Sequence, residues 1–225
     1  MTPGRRLAAE ALGSAFLLAT VIGSGIMGER LAGGNVAVAL LANSIATGAA
    51  LYALILVFAP ISGAHFNPAV TLVAALKRQL TGRQAIAYVG AQIAGAFVGV
   101  AAAHAMFGEP LFFASQHQRT GAAQWWAEGV ATFGLLMVIL GSSRQSIPAV
   151  AAAVGAYVTA AYWFTASTSF ANPAVTLARA ASDTFAGIRP VDAPAFILAQ
   201  LAGALGAAVV MRWFESRETL GGTDG

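Results

Sequence analysis

The chain has 225 residues, 58% hydrophobic and 9% charged, with 12 Lys and Arg against 9 Asp and Glu and a mean hydropathy of +0.72. Soluble domains carry roughly a quarter charged residues, so a soluble enzyme is nearly excluded, and the absence of cysteine removes disulfides, thiolate nucleophiles and Cys metal sites. A net charge of +3 spread over the whole length is no nucleic-acid footprint, despite a pI near 9.8. A bilayer crossing takes about 20 apolar residues, and such runs follow one another along the chain. The first covers 7–28 after Arg5 and Arg6, and runs too far, without a convincing cleavage site, for a cleavable signal peptide. The second covers 36–59 and ends at Pro60. A short apolar segment, 67–76, comes next, then a third run over 84–106. Runs over 124–141 and 147–166 follow, then a second short segment at 172–181 and a last run over 194–214.

The six long runs predict spanning helices, which satisfy their own backbone in lipid. The two short segments rise only about 15 Å as helices, half a bilayer. Each opens Asn-Pro, with Asn as N-cap and Pro at the first helical position. They predict re-entrant half-helices, whose lead-in loops 62–66 and 167–171 sit at membrane depth.

The chain also repeats itself. Ala9-Glu10, Ser14 and Leu17-Leu18 recur as Ala127-Glu128, Thr132 and Leu135-Leu136, offset by 118. The six residues from Asn67 to Leu72 recur unchanged from Asn172 to Leu177, offset by 105, and 91–96 recur as 199–204, offset by 108. One membrane domain, 1–225, is expected, with halves 1–116 and 117–225. Each half carries three spans, an odd number, so the second half enters from the opposite side as an inverted repeat. With the N-terminus in the cytoplasm, that side holds Arg5, Arg6, Lys77, Arg78, Arg83, Arg144, Arg212 and Arg217. The outside holds Arg30, Arg119, Arg179 and Arg189, so the bias predicts both termini inside.

Two Asn-Pro-Ala boxes, Asn67-Pro68-Ala69 and Asn172-Pro173-Ala174, stand at matching places of this repeat, with a membrane-embedded glutamate, Glu10 or Glu128, in each half. On these residues the chain resembles the aquaporin (major intrinsic protein) family over nearly its whole length. The resemblance implies an all-α membrane fold of six transmembrane helices and two half-helices. Those half-helices meet N-terminus to N-terminus at the midplane, where their dipoles repel cations. Each cap Asn is expected to leave its amide NH2 free for a passing solute. Glu10 and Glu128 are expected to accept hydrogen bonds from the box loops. Gly95 and Gly99, a G-x-x-x-G pair, read as helix packing. His65 reads equally as pore-lining or as buried and bonded, while His104 and His117 carry no signal.

The family's narrowest point can be carried over by counting from the two Asn residues. It falls on Thr47, Ala160, Ser169 and Val175, where relatives have an aromatic, often a His, and an Arg. All four are small or medium here, so the resemblance implies a wide filter without its usual Arg. The alternative is that Phe66, Tyr162, Trp163 or Phe170 fills the space. Arg179, one turn beyond Val175, could reach the vestibule, but a surface Arg paired with Asp183 is preferred. With the tail Val175 to Arg179, the chain looks like the bacterial branch of aquaglyceroporins associated with arsenic resistance. That implies a passive channel, not an enzyme, in a bacterial inner membrane. Its solutes would be water, glycerol and metalloid acids such as arsenite or methylated arsenicals. The plainer alternative is a water and glycerol facilitator, and a more distant one is an inverted-repeat secondary transporter. A homotetramer in the lipid bilayer is implied, with no cofactor, metal or nucleic acid.

Overall fold

The computed structural model describes residues 1–218, with side chains to Ser216; the tail of the second half, including the charge of Arg217, lies outside the described side chains. Eight helices appear among the described residues: α1 (Pro3–Leu31), α2 (Val36–Ser62), α3 (Pro68–Leu76), α4 (Gly82–Phe107), α5 (Ala122–Gly141), α6 (Ile147–Phe164), α7 (Pro173–Arg179) and α8 (Ala193–Glu218). Six of them are long and apolar enough to cross a membrane. The other two, α3 and α7, are the half-helices, and α7 is shorter than expected, about 10 Å of rise.

Local chemistry sets the ends. Asn67 Oδ1 accepts from Ala69 N at 2.8 Å, and Asn172 Oδ1 from Ala174 N at 3.0 Å, with Pro next in both helices. Thr81 and Gln84 form a reciprocal capping box at the start of α4. The second span does not stop at Pro60; it continues to Ser62 and ends on Gly63 at φ 94. Pro60 lacks the N–H that would bond back one turn, so the helix runs only two residues past it, and the left-handed residue that stops the chain there suits glycine.

The halves are packed alike. Helix α1 lies on α2 and α4 as α5 lies on α6 and α8. Each half-helix touches the third span of both halves, and α3 meets α7. Gly95 and Gly99 sit where an added Cβ would come within 2.1 Å of the carbonyl oxygens of Ala11 and Ala15, so α4 and α1 approach as closely as backbones can. Gly203 faces Gly129 in the same way between α8 and α5. The two main apolar clusters flank the half-helices, one built on α5, α6 and α3, the other on α1, α4 and α7.

Candidate functional site

The box loops leave the helices with backbone that has no helical partner. Ala64 and Phe66 have φ of 51 and 49, and Ser169 and Ala171, their counterparts in the repeat, 51 and 49. Non-glycine residues in this region cost about 1–3 kcal/mol each and persist only where surroundings hold them. The glutamates do that. Glu10, fully buried, accepts from Ser62 Oγ (2.6 Å), His65 N (3.0 Å), Phe66 N (2.7 Å) and Gln92 Nε2 (2.8 Å). Glu128 accepts from Phe170 N and Ala171 N, both 2.9 Å, and from Gln200 Nε2 at 2.6 Å. The same glutamine nitrogens also reach the half-helices, Gln92 to Thr71 Oγ1 and Gln200 to Thr176 Oγ1. Sequence reading passed over these two glutamines as functional residues. The signal was present: both open the Ala-Gln repeats at 91–92 and 199–200.

The two boxes are tied to each other. Asn67 Nδ2 donates to Ala171 O and Asn172 Nδ2 to Phe66 O, each at 2.8 Å. The expectation of free amide groups is corrected here: one hydrogen of each NH2 is committed to the opposite loop. A primary amide carries two, and both Asn side chains border the lumen.

That lumen is a cavity of about 380 Å³. It runs from Gln79, Ser143 and Gln145 at one end, past His65 and the two Asn, to Tyr162, Val175 and Arg179 at the other. Its walls are mostly Leu, Ile and Val from α1, α2, α3, α5 and α6. His65 borders it and is also bonded, Nδ1 to Thr71 Oγ1 at 3.1 Å, so both readings of this residue hold.

The four counted filter positions part company. Val175 and Ser169 border the lumen, both nearly buried. Thr47 is buried one turn beyond Leu51, and its hydroxyl meets Tyr162 Oη at 3.2 Å rather than the lumen. Ala160 is exposed on the outer surface and does not border the lumen, which corrects the count. The wall of α6 is Val150, Val154, Val158 and Tyr162, and a residue two positions from Val158 and Tyr162 is turned about 200° away. Counting back from Asn172 presumes a loop length, and an error of two residues in it turns the counted position off the lumen face. Of the aromatics that could fill the space, Phe66, Tyr162 and Phe170 border the lumen, while Trp163 points outward, its Nε1 donating to Ser44 Oγ at 3.1 Å.

Arg179 also departs from expectation. It is 2% exposed, borders the lumen, and donates from Nε to Ala186 O. Its guanidinium lies 3.3 Å from the centre of the Phe170 ring. Asp183, the partner expected for it, instead accepts from Gln116 N at 2.7 Å. His104, which the sequence left without a role, is fully buried and bridges Leu111 O and Ser182 Oγ, at 2.9 and 2.8 Å. It ties the long outer loop to the chain after α7. His117 stays exposed, 4.0 Å from Asp183. No group of side chains able to hold a metal ion occurs among the described residues.

The model of the family described as "Major intrinsic protein" matches residues 2–147 and 141–224. The chain is 57% identical over 209 residues to "Aquaglyceroporin AqpS" of Rhizobium meliloti, covering 93% of this chain and 89% of that one. It is 32% identical over 180 residues to "Aquaporin NIP1-3" of Oryza sativa, covering 77% and 62%. Among solved structures, the aquaglyceroporin from Plasmodium falciparum superposes with a TM-score of 0.72 over 95% of this chain and 96% of that one, at 23% identity.

Proposed function

The chain belongs to the major intrinsic protein family, and from that premise we propose that it conducts water, glycerol and undissociated metalloid acids passively. It is a multi-pass membrane protein and an aquaglyceroporin-like channel for small solutes, not an enzyme. The carrying observation is the cavity that passes both box asparagines within one chain. Two half-helix N-termini at its middle disfavour cations, and the remaining amide hydrogens of Asn67 and Asn172 offer donors to a solute oxygen.

The finer solute reading rests on three supports. The name of the relative from Rhizobium meliloti includes aquaglyceroporin. Val175 leaves the first turn of α7 without a guanidinium. The chain has no cysteine for thiol-reactive arsenic to attack. Arsenite as its trihydroxide, or a methylated arsenical, is hydroxyl-bearing and close to glycerol in size. Tyr162 at the lumen favours the plainer reading, a water and glycerol facilitator, because its ring narrows the outer end. The protein sits with both termini cytoplasmic in a bacterial inner membrane, as a homotetramer with one pore per chain; halves 1–116 and 117–225 form its single domain.

Proteoliposomes test this. Glycerol and arsenite should equilibrate without a proton or sodium gradient, and accumulation above equilibrium would sink the channel reading. Asn67→Leu and Asn172→Leu should insert normally yet lose most flux, since each removes an N-cap contributing about 1 kcal/mol and the bond between loops. Unchanged flux in both places the path elsewhere.

A further inference from the structure

The repeat places Phe170 where the first half has His65, and Arg179 where it has Ala74, at the same offset of 105. The first half carries only a methyl at that position, within α3, whereas Arg179 closes α7. It is nevertheless buried at the lumen. Its Nε is bonded to Ala186 O, and among the described residues no acceptor is bonded to its two Nη groups. Ser169 Oγ is buried at the same lumen and has no hydrogen-bond partner among the described residues. An orphan hydroxyl and an unfilled guanidinium in an otherwise apolar passage point to a ligand that brings oxygen atoms.

A second guanidinium stacks on the same ring. Arg119, from the outer loop, lies 4.8 Å from the Phe170 centre. It donates from Nε to Gly187 O (2.8 Å) and from Nη1 to Ser167 O (3.1 Å) and Thr168 Oγ1 (3.4 Å). It thereby fixes the loop that carries Ser169 and Phe170, and Phe170 in turn is the surface on which Arg179 rests.

We infer that Arg179 and Ser169 form a donor collar at the outer end of the lumen, which binds the hydroxyl edge of a small neutral polyol, and that Arg119 is its positioning residue. The carbon edge of such a solute meets Val158 and Val175 across the passage. This rests on the channel reading above.

The test compares glycerol with 1,2-propanediol, which lacks one hydroxyl at nearly the same size, in proteoliposomes with equal inserted protein. Losing a charge-assisted hydrogen bond should lower the glycerol-to-propanediol permeability ratio about tenfold in Arg179→Ala. Because the readout is a ratio of two solutes of nearly equal size, a general change in pore width cancels from it. Arg119→Ala should move the ratio the same way by less, and Arg119→Lys should not rescue it, because an ammonium cannot span three acceptors as the planar fork does. If Arg179→Ala inserts poorly, Arg179→Gln carries the same readout. Equal changes in both solutes, or none, would overturn the collar. An unaltered ratio in Arg119→Ala would overturn the role of Arg119. Wild-type liposomes no faster than empty ones would remove the channel reading, and the collar with it.

Discussion

Glu10 and Glu128 hold what no helix can, since each turns a strained loop's backbone N–H groups inward onto one carboxylate. Glu10→Gln keeps one oxygen but presents an NH2 to a backbone donor. Leaving buried donors unpaired costs about 1–3 kcal/mol, so we expect reduced insertion and a lower unfolding temperature, with flux per inserted channel largely kept. Normal assembly with lost conduction would instead place Glu10 in the path. Val175 is the second residue to test. An arginine there would stand four residues before Arg179, on the same face of α7, adding bulk and a like charge at the outer end. Val175→Arg should lose most of its flux for arsenite or glycerol while water, being small, stays within a few-fold. Stopped-flow swelling beside solute uptake checks this, and unchanged values for both would mean that position 175 does not narrow the passage.

Among the elements, the outer loop between α4 and α5 has the least helix of its own and the most borrowed support. Asp192, just ahead of α8, accepts from Arg119 N (2.9 Å), Thr120 Oγ1 (2.6 Å) and Arg189 Nε (3.0 Å). Burial alone would raise its pKa, but the hydrogen bonds from Arg189, Thr120 and Arg119 outweigh that and hold it below the ordinary carboxylate value. A depressed folded-state pKa means that the tether is fully present above about pH 4 and is lost as pH falls through the lower folded value. The protection of the backbone amides of residues 116–121, taken relative to their intrinsic exchange rate at the same pH, should therefore fall on acidification below about pH 4. In Asp192→Asn it should already be low at neutral pH. Protection that is high at every pH in both proteins would assign the anchoring to His104 and Ser182 instead. None of these loop contacts could be read beforehand, because Asp192 and Arg119 lie 73 positions apart and no periodicity links them. The spanning helices were legible because their signal, the length of an apolar run, is local. Where the signal was local but its context was not, the reading slipped, as at Pro60, which α2 passes by two residues.

At the scale of the molecule, the inverted repeat was the most informative feature of the sequence, since three matched segments fixed both half-helices and both buried glutamates. What it could not carry was the difference between the halves. The matched positions His65 and Phe170, or Ala74 and Arg179, differ in chemistry, and counting back from the second box reached Ala160, which faces away from the lumen that Tyr162 borders. The collar inferred above lies where the repeat is broken, at the outer end. The lumen itself is bounded by one chain from end to end. If four such chains assemble, each should conduct independently. Coexpressing wild type with a poorly conducting variant such as Asn172→Leu should then lower glycerol flux in direct proportion to the variant's share of inserted protein. A pore shared between subunits would need every neighbour intact, and the same titration would fall more steeply than linear. Mixing ratios spanning mostly wild type to mostly variant, with inserted protein quantified at each, separate the two curves.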